Sequence, residues 1–302
     1  MGKLADFPPE RKRQSGSGVL ELESKGAQPP DLPSGMILID SHCHFDDARF
    51  DPDREAAYRR ALSAGVEYQI VPGIRSEWWP RVKRVCGQYS GLWPAYGLHP
   101  MFMDVHKESD ISLLDSWLQT ENPVAVGECG LDYFIDDPDR EGQCRMFEAQ
   151  LDLAQHHGLP VIVHARRALE DILNILRRYP DVRGVVHSFS GSEQQAQRLI
   201  GMGFLMSFGG PITYPRARRL RHLAAVLPLE SIMIETDSPD QPDVGIRGGR
   251  NEPVRLPRIL SELGALRKES EQDIAAVTRD NAIRLFGLEK GLDHGSGTPV
   301  QG

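Results

Sequence analysis

The sequence lacks any apolar run approaching the roughly 20 residues that a membrane-spanning helix needs, and its mean hydropathy is −0.39. Cysteine is scarce. Cys43, Cys86, Cys129 and Cys144 are the only four, and none stands in C-x-x-C spacing, so neither a zinc knuckle nor a disulfide framework is indicated. The segment Met1–Asp6 lacks the apolar stretch of a secretory signal. These absences predict a cytoplasmic protein with reduced thiols and no membrane partner. Positive charge is also in deficit, with 35 Lys+Arg against 43 Asp+Glu and a net charge of −8. Extended, non-specific duplex binding by counterion release is therefore not expected. The cluster Arg216, Arg218, Arg219 and Arg221 reads as a solvated helix face. Hydrophobic residues make up 40% of the 302, enough for a sizeable core, which excludes a disordered chain.

The two ends differ from the middle. Residues 1–35 hold Pro8-Pro9, the basic triplet Arg11-Lys12-Arg13, a Ser-Gly repeat and Pro29-Pro30, without helical or strand periodicity. They read as a flexible tail, and residues 289–302 as a second one. Between them, short apolar runs alternate with amphipathic segments. The runs are Met36–Ile39, Val66–Val71, Leu92–Gly97, Val124–Gly127, Leu159–Val163, Val182–Val186, Phe204–Phe208 and Ser231–Ile234. Near-continuous Val, Ile and Leu fit strands buried on both faces of a parallel sheet. Helices are clearest over Asp53–Ala64, Arg140–His157, Ala168–Tyr179 and Ser192–Met202. Gly158, Gly184 and Gly203 follow helices, where left-handed caps are wanted. Eight such alternations predict an α/β fold, a (β/α)8 TIM barrel over residues 36–288. An open doubly wound sheet would carry a glycine-rich turn after its first strand. Here that strand runs into Asp40-Ser41-His42-Cys43-His44, and the barrel is preferred.

Barrel chemistry sits at the C-terminal strand ends. Those ends carry His42 and His44, His99, Glu128, His164, His187 and Asp237, taking five of the ten histidines. His42 and His44 are two apart and share one face, so Cys43 points outward to the helices and is rejected as a ligand. Imidazoles mixed with carboxylates suit a borderline divalent ion such as zinc, manganese or cobalt. One catalytic ion needs only about three protein ligands. The surplus favours two ions with a shared water as nucleophile. Glu128 stands across the mouth from the first strand and, with two oxygens, is the natural bridge. Asp237 is the candidate to bind one ion and take the water's proton. His106, His156, His157, His222 and His294 fall off the pattern and receive no role.

At these residues the sequence resembles the TatD family of metal-dependent hydrolases, among the amidohydrolase-like barrels. The matching stretches are Ile39 to His44, Gly97-Leu98-His99-Pro100, Gly127 to Tyr133, Val163-His164-Ala165-Arg166, His187 to Gly191, Glu235 to Pro239, and Asn281 to Gly287. They run in order through nearly all of 36–288. The resemblance implies one ion on His42, His44, Glu128 and Asp237, and a second on Glu128, His164 and His187. The ions would be zinc, manganese or magnesium. Beside them His99 would touch a substrate phosphate. It further implies hydrolysis of DNA phosphodiester bonds from the 3′ end of single strands. An exonuclease grips few nucleotides, so an acidic chain is no obstacle.

The chain departs from the family after the last aspartate, where Ala-Pro and an aromatic residue are usual. Here Ser238-Pro239-Asp240 leads into a loop ending at Arg250. Asp240 would repel a phosphate, whereas Arg247 and Arg250 would attract one; these two and Arg166 are the candidate substrate contacts. The alternative is the same mechanism on a lactone, an amide or a small phosphate ester. Related barrels bridge their ions with a carboxylated lysine, yet Pro123 to Gly130 contains none, which favours the nuclease branch. A metal-free binding scaffold is disfavoured because every ligand position is filled. No long apolar stripe demands a partner, so a monomer or weak oligomer is expected.

Overall fold

Each apolar run becomes a strand, and each is followed by at least one helix. The computed structural model describes residues 35–289 and gives the order β1 (Leu38–Asp40), α1 (Arg54–Ser63), β2 (Val66–Gly73), α2 (Trp79–Gln88), β3 (Leu92–Tyr96), α3 (Ser109–Glu121), β4 (Ala125–Asp132) and α4 (Arg140–His157). It continues with β5 (Val161–Arg166), α5 (Leu169–Leu176), β6 (Gly184–Val186), α6 (Glu193–Gly201), β7 (Phe204–Phe208), α7 (Arg218–Val226), β8 (Ile232–Ile234), α8 (Leu256–Leu266) and α9 (Glu271–Phe286). The strands form one parallel sheet in sequence order. The first and last strands meet through Ser41 N–H to Ile234 O at 3.1 Å and Asp237 N–H to His42 O at 2.9 Å. The barrel of the sequence reading is thus nearly closed. Apart from residues 35 and 289, the two expected tails lie outside the described residues.

Local chemistry sets the helix limits. Asp139 accepts the Gly142 N–H at 2.8 Å and starts α4, while Gly158, at φ +65°, ends it. Ser192 and Gln195 form a reciprocal capping box at the start of α6, satisfying two otherwise orphaned N–H groups. Gly184 corrects the cap expectation. It is the first residue of β6, and a Cβ there would lie 2.4 Å from the Val161 carbonyl oxygen, so close strand approach demands glycine.

The core has two parts. Between barrel and helices lies a layer including Leu38, Cys43, Phe45, Val71, Cys129, Leu131 and Val163. Ile39, Ile70, Ala95, Ala125, Ile162, Val185 and Met233 instead pack with Ala282, Phe286 and Leu288, so the end of α9 joins the apolar floor. Each fully buried side chain of this size contributes about 1.5–3 kcal/mol of transfer free energy. That floor supports the polar groups at the mouth.

Strand four differs from expectation in length. The apolar run stops at Gly127, but pairing with β5 resumes after a register shift and runs from Cys129–Val163 to Asp132–Arg166. Glu128 therefore stands within the strand instead of at its end. Cys129 and Leu131 turn outward into the core layer, which leaves Glu128, Gly130 and Asp132 on the other face.

Candidate metal centre

Six side chains from five other strands converge around Glu128. Its Oε2 is 3.3 Å from His42 Nε2 and 3.5 Å from His44 Nε2. The same two nitrogens lie 3.6 and 3.7 Å from Asp237 Oδ1 and 3.3 Å from each other. Glu128 Oε1 faces a second group: His187 Nε2 at 2.7 Å, His164 Nδ1 at 3.0 Å and His99 Nε2 at 3.0 Å. His164 Nδ1 and His187 Nε2 are 3.2 Å apart. Every metal-ligand position read from the sequence is brought into this cluster, together with His99.

The donor set fits divalent cations. Two nitrogens each about 2.0–2.1 Å from one tetrahedral ion lie about 3.4 Å apart. The spacings around Oε2, from 3.3 to 3.7 Å, bracket that value, and those around Oε1, from 2.7 to 3.2 Å, are somewhat tighter. Facing ring nitrogens 3.2–3.3 Å apart repel when both carry protons or both carry bare lone pairs, whereas both lone pairs can ligate a common cation. His42, His44 and Asp237 group together, as do His99, Glu128 and His164, and His42, Glu128 and His187. Another cluster joins Asp115, mid-way along α3, to His156 and His157 at the C-terminal end of α4, away from the mouth.

Electrostatics separates the roles. Burial, with the charge of His187, holds the His42 ring at about 4, so it stays neutral. The two rings stack at 4.0 Å. Burial likewise lowers His99 to about 4. For His44, burial is outweighed by the Glu128 hydrogen bond and charge, then by Asp237, and the ring rises to about 9. Burial opposes the Glu128 carboxylate too, but the surrounding histidines hold it well below the usual range. Burial raises Asp237 to about 7, in spite of His187 and His44.

A ring of supporting groups was not assigned from the sequence. Asp132 Oδ2 lies 3.1 Å from His164 Nε2, and its Oδ1 accepts the Phe134 N–H at 2.8 Å. Gln143 clamps the Asp132 backbone on both sides. Glu235 accepts the Ser188 N–H at 2.7 Å behind His187. Asp40 accepts from Thr236 and from the His42 N–H, tying β1 to the loop after β8. Gln241 donates to Asp237 Oδ2 at 2.5 Å and accepts from Ser188 Oγ at 3.0 Å. Ser188, Asp237 and Gln241 all have positive φ. Such conformations persist only where their surroundings over-determine them. Of this ring, Asp40, Asp132, Ser188, Glu235 and Thr236 lie within the stretches that match the family, and Asp132 also shares a strand face with Glu128, four residues earlier.

The proposed rim contacts fall differently. Arg166 lies 3.7 Å over the Phe134 ring, and Arg247 is exposed. Arg250 is taken up by Asp53 at 2.7 and 2.8 Å, by Glu252 and by the Arg49 carbonyl. Asp240, expected to repel phosphate, is paired with Arg49 at 2.7 and 2.8 Å.

The model of the TatD related DNase family matches residues 39–287. The chain belongs to that family. It is 42% identical to the metal-dependent hydrolase YjjV of Escherichia coli K12 over 254 residues, covering 83% of this chain and 98% of that one. The crystal structure of YjjV matches with a TM-score of 0.80, at 41% identity and the same coverage of both chains. A 3′-5′ ssDNA/RNA exonuclease TatD from Shigella flexneri is 30% identical over 83% of this chain and 99% of its own. The TatD barrel here is that of a metal-dependent hydrolase. Among the described residues no helix is long and apolar enough to cross a membrane.

Proposed function

We propose that this TatD-family chain is a deoxyribonuclease that hydrolyses phosphodiester bonds from the 3′ end of single-stranded DNA. The observation that carries the reading is the division of Glu128, whose two oxygens each face a separate group of donors. The relative from Shigella flexneri, named as a ssDNA/RNA exonuclease, supports the substrate. In this reading His42, His44, Glu128 and Asp237 hold one divalent ion, and Glu128, His164 and His187 hold the other. Such ions neutralise phosphoryl oxygens and acidify water.

The chain's own groups do the rest. Asp237 accepts the proton of the attacking water, with Gln241 fixing its second oxygen. His99, beside Glu128, donates to a phosphate oxygen. Arg166 and Arg247 draw the backbone phosphates to the rim. Arg250 serves by anchoring its loop to Asp53. The pairing of Asp240 with Arg49 removes the repulsion that would oppose an anionic substrate.

A 5′-labelled single-stranded oligonucleotide, incubated with magnesium or manganese, tests this. Wild type should give a descending ladder, and Asp237→Asn, which cannot take the proton, should give almost none. No cleavage, or equal cleavage by both proteins, overturns the reading and directs attention to lactones, amides and small esters.

A further inference from the structure

We propose that the rim carries base-stacking subsites for single-stranded polynucleotide, Trp78 on one arm and Phe134 on the other. The proposal rests on the DNA reading above. Trp78 and Phe134 are each 40% exposed, and they are the two aromatic rings among the exposed large hydrophobics of the described residues. Both stand in loops at C-terminal strand ends, Trp78 after β2 and Phe134 after β4. Core packing does not account for aromatic surface left in water at that end of a barrel.

Each ring is tied to the metal cluster by a short chain of contacts. Trp78 packs edge-on against Phe102 at 5.7 Å between centroids, and Phe102 lies 6.0 Å from His99. Phe134 is held through its N–H by Asp132, whose other oxygen faces His164. The His99 and His164 rings are themselves 4.3 Å apart. The two arms therefore leave the mouth from one sector, spanning the second to the fifth strand.

Arginine accompanies both rings. Arg75 lies 4.7 Å over Trp78 and 5.2 Å over Phe102. Arg166 and Arg167 lie 3.7 and 4.3 Å over Phe134. Neither Arg166 nor Arg167 forms an ion pair among the described residues. Arg75 is paired with Glu77, whereas the unpaired guanidinium beside the exposed Phe134 ring, in a chain of net charge −8, is complementary to bases on a phosphate backbone. Stacking accepts any base, as an exonuclease that walks through sequence requires. A duplex would keep its bases paired and away from such rings, so the occupant is a single strand.

The test compares oligo(dT) with an oligonucleotide of equal length whose sugars are all abasic, using wild type, Trp78→Ala, Phe134→Ala and the double variant. Fluorescence anisotropy in EDTA reads binding without turnover, and steady-state kinetics with metal reads KM against kcat. Each single variant should weaken oligo(dT) binding roughly tenfold and the double roughly a hundredfold, with matching rises in KM. Abasic binding, metal content and Tm should not move, and Phe134→Tyr should restore binding. Undiminished oligo(dT) binding by the variants, or equal losses on both oligonucleotides, overturns the stacking subsites alone. A wild type that neither binds nor cleaves either oligonucleotide overturns the DNA reading and the subsites with it.

Discussion

Asp132 and His164 face one another across adjoining strands, with the carboxylate Oδ2 3.1 Å from Nε2, so the ring's Nδ1 turns to Glu128. A carboxylate behind a ligating imidazole fixes its tautomer and raises its basicity. Burial opposes charge on both groups, yet their hydrogen bond holds Asp132 low and His164 high. Asp132→Asn keeps an oxygen for the Phe134 N–H but removes the charge. We expect affinity at one metal position to fall about 10–100-fold, measured by chelator competition. Affinity equal to wild type would show that the pair only braces the strand.

Gly130 lies between Glu128 and Asp132 on the same strand, at φ +135°, and a Cβ there would stand 2.1 Å from the His164 carbonyl oxygen. Alanine must both adopt a forbidden backbone and push β5 away beneath the histidine. Gly130→Ala should cost about 3 kcal/mol, lowering Tm by roughly 6–12 °C, and should reduce metal retention. A melting curve superimposable on wild type would show that β4 yields without cost.

How far the sequence could be read depends on the range of each interaction. The apolar runs reveal eight parallel strands, and the polar residues that terminate them reveal His42, His44, His99, His164, His187 and Asp237, because strand direction alone delivers these to one mouth. Glu128 was legible as a group but not as a mid-strand residue. Glu128, Gly130 and Asp132 interrupt the apolar pattern, while the pairing that extends β4 comes from β5. The pairings of Asp240 and Arg250 were illegible for a different reason. Their partners Arg49 and Asp53 stand 191 and 197 residues away, and only closure of the barrel brings them together.

Cys43 sits between two proposed ligands, yet its Sγ turns away, 3.2 Å from Gln69 Oε1, within the layer beneath the helices. Burial holds its thiol well above the ordinary value, so thiolate is scarce. Cys43→Ala should therefore bind the same amount of metal as wild type and lose about 1 kcal/mol of stability. Alkylating reagents should label Cys43 only after unfolding. Loss of metal from Cys43→Ala would place the sulfur in the site after all.

Arg49 bridges the loop after β1 to the loop after β8, contacting Asp47 and Asp240 with its guanidinium. About two-fifths of Arg49 and of Asp240 is exposed, so solvent screens the pair and its share of stability is at most about 1 kcal/mol. Its consequence for function is larger, because the Asp240 N–H bonds the Asp237 carbonyl and holds Asp240 in the same turn as the proposed base. Removing the guanidinium frees two negative charges where an anionic substrate must enter. Arg49→Ala should raise KM for a phosphodiester several-fold, leave kcat nearly unchanged and shift Tm by no more than a few degrees. Raised ionic strength should shrink the KM difference, since exposed charges are screened over about 10 Å at 0.1 M salt. Adding Asp240→Asn to Arg49→Ala should restore much of the lost affinity. If the double variant binds no better than the single one, repulsion by Asp240 is not what Arg49 suppresses, and the arginine instead contacts the substrate directly.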